Sequence, residues 1–225
     1  MQDTAAEGAV AHQVGNETKN QGRGRPRCVE KNQAILEAAT ALFLENGFDG
    51  TSMDEVARRA GVSKQTVYSH FAGKEQLFAA STRAKIEEHY PENVLSRVGA
   101  HSLESDLRTV SDHIAELMLG EEAIAMFRLL VERGGKGPDL AELFWQSGPL
   151  DMLDSLKAFL GQWCERGELD IPDLELAAMQ LVSLLKGGLH YRLAIGLVDR
   201  VDRATLDAHV TNCIDAFLKL YKSGR

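Results

Sequence analysis

The sequence predicts an all-α fold. From Val29 onward the apolar residues recur every three to four positions, as they do along one face of a helix, and no stretch shows the sustained alternation of an amphipathic strand. Glycine, proline and capping residues divide this pattern into helices of ordinary length. Hydrophobic residues make up 44% and charged residues 26% of the 225 positions, so the chain has enough apolar surface to bury a core.

Composition and motifs exclude several classes of protein. No apolar run has the length of a membrane-spanning helix, and the N-terminus lacks the basic and apolar regions of a secretory signal. The three cysteines, Cys28, Cys164 and Cys213, are odd in number and widely separated, which argues against a disulfide framework or a thiolate metal site. No glycine-rich phosphate loop or catalytic set is evident. We therefore expect a cytoplasmic protein that is not an enzyme, binds no membrane and needs no cofactor or metal.

The net charge of −8 is divided unevenly along the chain. Residues 1–18 carry three acids and no base, residues 19–85 carry 11 Lys and Arg against 7 Asp and Glu, and residues 86–225 carry 14 against 23. The middle segment is therefore net positive and the last is strongly negative. A basic segment joined to an acidic body indicates one part that approaches a polyanion and another that avoids it.

The N-terminal segment divides into a tail and an arginine-rich stretch. We expect residues 1–22 to be disordered, because they are small and polar and cannot bury enough surface to offset the entropy of ordering. The following residues include Arg23, Arg25 and Arg27, separated by glycine and proline. This stretch is either a solvated linker or an arm that contacts DNA phosphates or enters a minor groove.

Local signals divide residues 29–81 into four helices, of which the second and third form a helix-turn-helix. Gly61 allows the chain to turn sharply, and Ser63 caps the helix that follows. The other boundary signals are Gly47 at the end of the first helix, a capping box at Ser52 and Glu55 before the second, and Lys74 at the start of the fourth.

The predicted third helix carries side chains suited to reading DNA. A helix that enters a major groove about 12 Å wide must present hydrogen-bond donors or small groups. Gln65 suits adenine, Lys64 suits guanine or a phosphate, and Thr66 suits the methyl group of thymine. Tyr68 and Lys74 are placed to reach the DNA backbone. A short polar helix in an ordinary bundle has a similar pattern, so these residues alone leave both interpretations open.

The N-terminal domain also contains a set of short motifs at regular spacing: ILEAA at 35–39, NGF at 46–48, TSMDEVA at 51–57, AGVSKQTVYSHF at 60–71 and KEQL at 74–77. Over residues 27–80 this pattern resembles the DNA-binding domain of TetR-family transcriptional regulators. The resemblance implies a DNA-binding domain at residues 23–80, with a connecting fourth helix. It also implies a larger helical domain at 81–225 that dimerises and binds a small effector. Motifs within residues 126–178 resemble one C-terminal subgroup of the same family.

The resemblance assigns DNA contacts to individual positions. It places Thr51 and Ser52 at a phosphate, and it places Lys64 in the base-reading first turn of the third helix. Together with the arginine stretch and the capping serine, the predicted DNA-binding set is Arg25, Arg27, Thr51, Ser52, Ser63, Lys64, Gln65, Thr66, Tyr68, His70 and Lys74.

The second domain is predicted to consist of amphipathic helices. Their apolar stripes are Leu103, Leu107, Val110, Ile114 and Leu117; Ala123, Phe127, Leu130 and Val131; Leu153, Leu156, Phe159, Leu160 and Trp163; Leu176, Ala177, Leu181, Leu184 and Leu185; and Leu206, Val210, Cys213, Ile214, Phe217 and Tyr221.

Large, adaptable side chains in this domain are candidates for a pocket that takes an apolar or amphipathic effector. Methionine and aromatic residues suit such a pocket, and they suit an ordinary core equally well. Three residues, His113, Arg128 and His190, are candidate polar anchors. The predicted ligand-binding set is Met118, Met126, Phe127, Phe144, Trp145, Met152 and Trp163.

We expect a homodimer, because two recognition helices must lie about 34–36 Å apart to meet successive major grooves of a palindrome. The helices at 153–163 and 173–185 are the expected contacts, with the terminal helix in support and with Gly187 and Gly188 allowing close approach. The predicted function is a ligand-released repressor acting on a palindromic operator. The alternative is a helical carrier of small molecules or lipids whose first four helices serve only structure.

Overall fold

The computed structural model describes residues 25–90, 101–133 and 140–224, and within these ranges the chain forms ten helices and no strand. The helices are α1 (Arg25–Gly50), α2 (Met53–Arg59), α3 (Lys64–His70), α4 (Lys74–His89), α5 (Leu103–Leu119), α6 (Glu121–Arg133), α7 (Leu140–Gln146), α8 (Pro149–Glu165), α9 (Leu174–Ala194) and α10 (Arg203–Tyr221). The predicted all-α fold is confirmed. None of these helices combines the length and apolar character needed to cross a membrane.

The first four helices form most of a first core, which also includes Leu140 of α7. Phe43 and Phe78 are fully buried and pack edge to face, with ring centroids 5.2 Å apart, and Phe48 stacks on Phe43 at 5.7 Å. Aromatic pairs in these geometries stabilise a core beyond the area that they bury. The other buried side chains of this core include Ile35, Leu42, Val56, Val67, Phe71 and Leu77.

Glycines and serines shape the first helices, but Gly47 does not end α1 as predicted: its non-helical backbone makes a kink, and α1 continues to Gly50. Gly47 and Gly61 both have positive φ, at 74° and 67°, which glycine adopts at no steric cost. The hydroxyl oxygens of Ser52 and Ser63 each accept a hydrogen bond from the backbone N–H three residues later, at 3.2 and 3.1 Å. These bonds satisfy donors that a helix leaves free at its N-terminus, so α2 and α3 begin at the predicted places.

The arginine stretch contributes the first turn of α1. Residues 25–27 are helical, so the predicted linker or arm does not include them. Pro26 is compatible with this turn, because the first helical N–H groups have no partner within the helix. The predicted tail at 1–22, and Arg23 with it, lie outside the described residues.

The second core lies among α5, α8, α9 and α10. The whole predicted stripe of α8, from Leu153 to Trp163, is buried in it. Arg108 of α5 ties this core to α10, because its guanidinium donates to Thr211 at 2.7 Å and pairs with Asp207 at 3.2 Å. The core is therefore internal to one chain.

Two of the predicted apolar stripes, those of α6 and α9, are partly exposed to solvent. Val131 of α6 is 61% exposed and Leu176 of α9 is 52% exposed, whereas α6 buries Ile124. Val131 is therefore not part of the inner face of α6 as predicted. The other three residues of that stripe, Ala123, Phe127 and Leu130, do face inward, but they line a cavity and not a filled core.

Helix α4 connects the two cores. Leu77 and Phe78 belong to the first core, whereas Ile86 and Tyr90, at the other end of α4, pack in the second. The expected boundary between residues 80 and 81 thus falls inside a continuous helix.

A candidate DNA interface and effector cavity

Helix α3 presents a polar face to solvent. Val67, fully buried, and Phe71, just after the helix, fix α3 to the first core. Lys64, Gln65 and Tyr68 point away from it and are exposed, Tyr68 to 46%. This arrangement leaves the predicted base-reading residues free to meet a groove.

Lys64 is held at the protein surface by an acid on the preceding helix. Its ammonium lies 2.7 Å from a carboxylate oxygen of Asp54 and 5.8 Å from the ring centroid of Tyr68. The hydrogen bond that Lys64 donates to the carboxylate of Asp54 raises the pKa of Lys64. A DNA phosphate would compete with Asp54 for the same ammonium group.

Thr51 has a structural role that the sequence did not reveal. Its side chain is 3% exposed, and its hydroxyl donates to the carbonyl oxygens of Gly47 and Leu42, at 2.8 and 3.0 Å. The predicted phosphate contact of this side chain is therefore wrong, because the hydroxyl proton ties the end of α1 to the start of α2. Ser52, by contrast, is exposed.

The remaining predicted DNA-binding residues are at least partly exposed in the helix-turn-helix, or their side chains lie outside the described part of the structure. Ser63 and Thr66 join their hydroxyl oxygens by a hydrogen bond of 2.8 Å, and His70 is partly exposed. The side chains of Arg25 and Arg27 lie outside the described part of the structure.

Two cationic side chains, those of Lys74 and Arg133, contact Phe48 and Asp49 at the corner between α1 and α2. The ammonium of Lys74 lies 4.5 Å from the ring centroid of Phe48 and donates to the carbonyl oxygen of Asp49 at 3.4 Å. The guanidinium of Arg133, at the end of α6, lies 5.6 Å from the same ring and forms an ion pair with the carboxylate of Asp49. The second domain thus contacts the helix-turn-helix domain directly beside α2.

A cavity of about 520 Å³ lies between the two cores. It is bounded by α1 and by α4 to α9, and its size is that of a small-molecule site. Six of the seven predicted ligand-binding residues line it: Met118, Met126, Phe127, Phe144, Trp145 and Met152.

Trp163 is not part of the cavity, so its prediction as a ligand-binding residue is wrong. It is 3% exposed in the second core, with the guanidinium of Arg166 4.8 Å from its ring. Met152 and Trp163 share one face of α8, but they are separated by about 16 Å of helix. Only the N-terminal turn of α8, at Pro149, Met152 and Leu153, reaches the cavity.

Polar and charged groups interrupt the apolar lining. Lys85 lies 2.9 Å from a carboxylate oxygen of Glu122 and 3.1 Å from one of Glu88, so its charge is balanced. Lys186 and His190 lie on either side of a kink at Gly187 in α9, and both line the cavity. In the described ranges no group of acidic, histidine or cysteine side chains is arranged to hold a metal ion.

The chain matches two family models. Residues 35–81 match the bacterial regulatory proteins of the tetR family, and residues 105–223 match the C-terminal domain of AefR-like transcriptional repressors. The second match alone covers more than half of the chain. This is a TetR-family transcriptional regulator. The family consists of transcription factors, so the regulator is not an enzyme, and the alternative of a carrier without DNA function is not supported.

Relatives with known sequences or structures agree with this assignment. The regulator is 31% identical over 178 residues to the HTH-type transcriptional regulator YdeS of Bacillus subtilis, an alignment that covers 77% of this chain and 83% of YdeS. A TetR-family structure from Mesorhizobium loti has 31% identity and a TM-score of 0.73, covering 87% of this chain and 98% of that one. The flavonoid-responsive regulator FrrA has 31% identity and a TM-score of 0.67, covering 88% and 100%.

Of the three predicted polar anchors, only His190 lines the cavity of the regulator. His113 places its Nδ1 atom 2.8 Å from the carbonyl oxygen of Thr109. Arg128 instead donates to the carbonyl oxygens of Leu193 and Ala194 at the C-terminal end of α9.

Sequence reasoning missed Lys186 and Arg133. The available signal for the first was the four-residue spacing of Lys186 and His190, which an unbroken helix would place on one face. No local signal identifies Arg133, because its partner Asp49 is 84 residues away in the sequence.

Proposed function

We propose that the regulator is a repressor that binds a palindromic operator as a homodimer and is released by an apolar or amphipathic effector. The exposed polar face of α3, fixed by a buried Val67, supports the DNA-binding part of this proposal. The cavity between the two cores supports the effector part. The match to a repressor C-terminal domain supports the direction of control.

In this proposal α3 enters the major groove with Lys64, Gln65 and Thr66 nearest the bases. Tyr68 and Lys74 contact the DNA backbone, as do the exposed groups of Ser52, Ser63 and His70. Arg25 and Arg27, in the first turn of α1, add positive charge near the DNA. Phosphate contacts of this kind fix the position of the helix, and the base contacts give sequence preference.

The dimer contact that we propose differs from the one that the sequence predicted. The apolar stripe of α8 is buried within its own chain and cannot meet a second copy. Exposed apolar side chains occur instead on α9, at Leu176 and Tyr191, and on α10, at Leu220. We therefore propose that α9 and α10 supply the dimer interface.

Helix α6 offers a route from the cavity to the DNA interface. Met126, Phe127 and Leu130 line the cavity, and Arg133 at the end of the same helix holds Asp49. An effector that displaces α6 would move this contact beside α2. Because two linked recognition helices must keep their spacing to fit both half-sites, a small rotation is enough to weaken binding.

Binding to DNA tests the first part of the proposal. The DNA upstream of the regulator's own coding region is searched for an inverted repeat, and a fluorescent duplex carrying it is titrated with the protein. We expect tight binding that weakens steeply with salt. We also expect Tyr68→Ala and Lys74→Ala to bind much more weakly than the parent while remaining folded and dimeric.

The matched control is Lys157→Ala, because Lys157 is a surface lysine of α8 paired with Asp154 at 2.6 Å. Its DNA binding is expected to equal that of the parent. The proposal is wrong if the parent shifts no duplex at low ionic strength, or if it is a monomer at the concentrations that bind.

A further inference from the structure

One lysine of the cavity wall has no partner of opposite charge. Lys186 of α9 lines the cavity and is partly buried, and it forms no ion pair or hydrogen bond with any residue in the described ranges. A buried charge is costly unless it is paired or hydrogen-bonded. The wall therefore contains an ammonium group whose partner is not supplied by the described chain.

The contrast with the other lysine of the cavity supports this assessment. Lys85 has two carboxylate partners, Glu88 and Glu122, at 3.1 and 2.9 Å, and its pKa is raised above the usual value. Burial lowers the pKa of Lys186, and no neighbouring acid opposes that effect. An anion placed beside Lys186 would remove this penalty.

Further polar atoms lie along the same wall and the wall formed by α4. The ring of His190 lies just beyond the kink at Gly187 and packs edge to face on Phe127, at 4.8 Å between centroids. The hydroxyl of Ser183 donates to the carbonyl oxygen of Met179 at 2.7 Å, which leaves its own oxygen free to accept. Thr82 of α4 is 6% exposed, and its hydroxyl oxygen has no partner among the described residues.

The rest of the lining is mostly apolar, with methionine and aromatic side chains from α5 to α8. A ligand that suits both parts has an anionic end and an apolar body. A cationic ligand is less suited to the wall at Lys186, which repels it; of the three acids that line the cavity, Glu88 and Glu122 are paired with Lys85, and Glu121 is exposed to solvent.

We propose that Lys186 binds the anionic head group of an amphipathic effector whose apolar body fills the cavity. The head group is a carboxylate or a phosphate monoester, and His190 lies beside it. This inference rests on the proposed role of the cavity as the effector site, and it names the class of effector.

Four probes with the same twelve-carbon chain test the inference: dodecanoate, dodecyl phosphate, dodecanol and dodecylamine. Binding to the full-length regulator is measured by calorimetry. At least one of the two anions is expected to bind on the order of tenfold more tightly than dodecanol, and dodecylamine is expected to bind most weakly. Which anion binds distinguishes a free carboxylic acid from a phosphorylated ligand.

Variants assign the effect to the side chain. In Lys186→Met the affinity for the anion is expected to fall on the order of 10- to 100-fold, because a hydrogen bond to a charged group is lost, while the affinity for dodecanol stays within about twofold. Lys186→Arg is expected to restore most of the anion affinity. Lys157→Met, on the surface of α8, is the matched control and is expected to bind all probes as the parent does.

Three results would overturn the inference: neither anion binds, the alcohol or the amine binds as tightly as the anions, or Lys186→Met binds the anions unchanged. The same samples are then titrated with the operator duplex. If dodecanol releases the DNA as readily as the anions do, the cavity is still the effector site, but the proposed binding of an anionic head group by Lys186 is wrong. If the anions bind through Lys186 but the DNA stays bound, the role of Lys186 is supported, and the proposal that the effector releases the regulator from DNA is contradicted.

Discussion

Replacing Thr51 by valine separates a structural role of this side chain from a contact with phosphate. The hydroxyl of Thr51 is buried, and its one proton lies between the carbonyl oxygens of Gly47 and Leu42, at 2.8 and 3.0 Å. Valine keeps the branched shape but has no proton to donate. The corner between α1 and α2 therefore loses a hydrogen bond at a site that water does not readily reach.

The size of the effect follows from this geometry. One proton shared by two acceptors counts as about one hydrogen bond, and leaving its buried acceptors unsatisfied costs about 1–3 kcal/mol. For a chain of 225 residues this corresponds to a fall in melting temperature of roughly 2–10 °C. DNA affinity, measured well below the melting transition, is expected to stay within about twofold of the parent.

Thermal unfolding followed by circular dichroism, at one fixed protein concentration, measures the first quantity, and fluorescence anisotropy with the operator duplex measures the second. Ser52→Ala is the comparison, because Ser52 is exposed and caps α2. Loss of that cap costs about 1 kcal/mol, and loss of a phosphate contact would also weaken DNA binding. A Thr51→Val protein that melts with the parent but binds DNA tenfold more weakly would refute the structural role.

Four other changes have defined outcomes. Asp54→Asn frees Lys64 and removes an acid beside the DNA, so anisotropy should show binding tightened by about two- to fivefold at low salt, with the gain shrinking as salt rises. Gly61→Ala forces a side chain into φ 67°, and urea denaturation should show a loss of about 1–2 kcal/mol. Lys186→Met should melt at a higher temperature than the parent at neutral pH, because burial lowers the pKa of Lys186 in the folded state. Burial raises the pKa of the Cys213 thiol, so iodoacetamide should label it slowly in the native protein and readily in urea, as measured by mass spectrometry.

For each of these predictions a specific result would contradict it. Unchanged or weaker DNA binding in Asp54→Asn would mean that the acid does not compete with phosphate. An unchanged urea midpoint in Gly61→Ala would contradict the positive φ. The lowered pKa of Lys186 also predicts a pH trend. As pH rises toward the ordinary lysine pKa, the parent should gain stability relative to Lys186→Met, because the unfolded chain holds the lysine proton more tightly than the folded protein does. Rapid labelling of native Cys213 would show that the second core opens readily.

Features controlled within one helical turn could be predicted from the sequence. The start of α3 at Lys64, its cap at Ser63 and the turn at Gly61 depend on neighbours no more than a few residues away. The methionine and aromatic residues of the cavity were also predicted, because side chains of this type on successive helices usually share one interior. Whether that interior is a filled core or an open cavity was not predictable from residue type.

The sequence by itself thus determined the helical fold, the helix-turn-helix and the family of this regulator, since each depends on spacing along the chain. Tertiary structure alone decided three other matters: that Thr51 points inward, that the stripe of α8 is buried in its own chain, and that Arg133 meets Asp49. Each of these depends on which helix lies opposite, and contacts between distant segments are set by how whole helix faces pack. An amphipathic pattern predicts that one face of a helix is buried, but it does not show whether that face packs against the same chain, a second copy or a ligand.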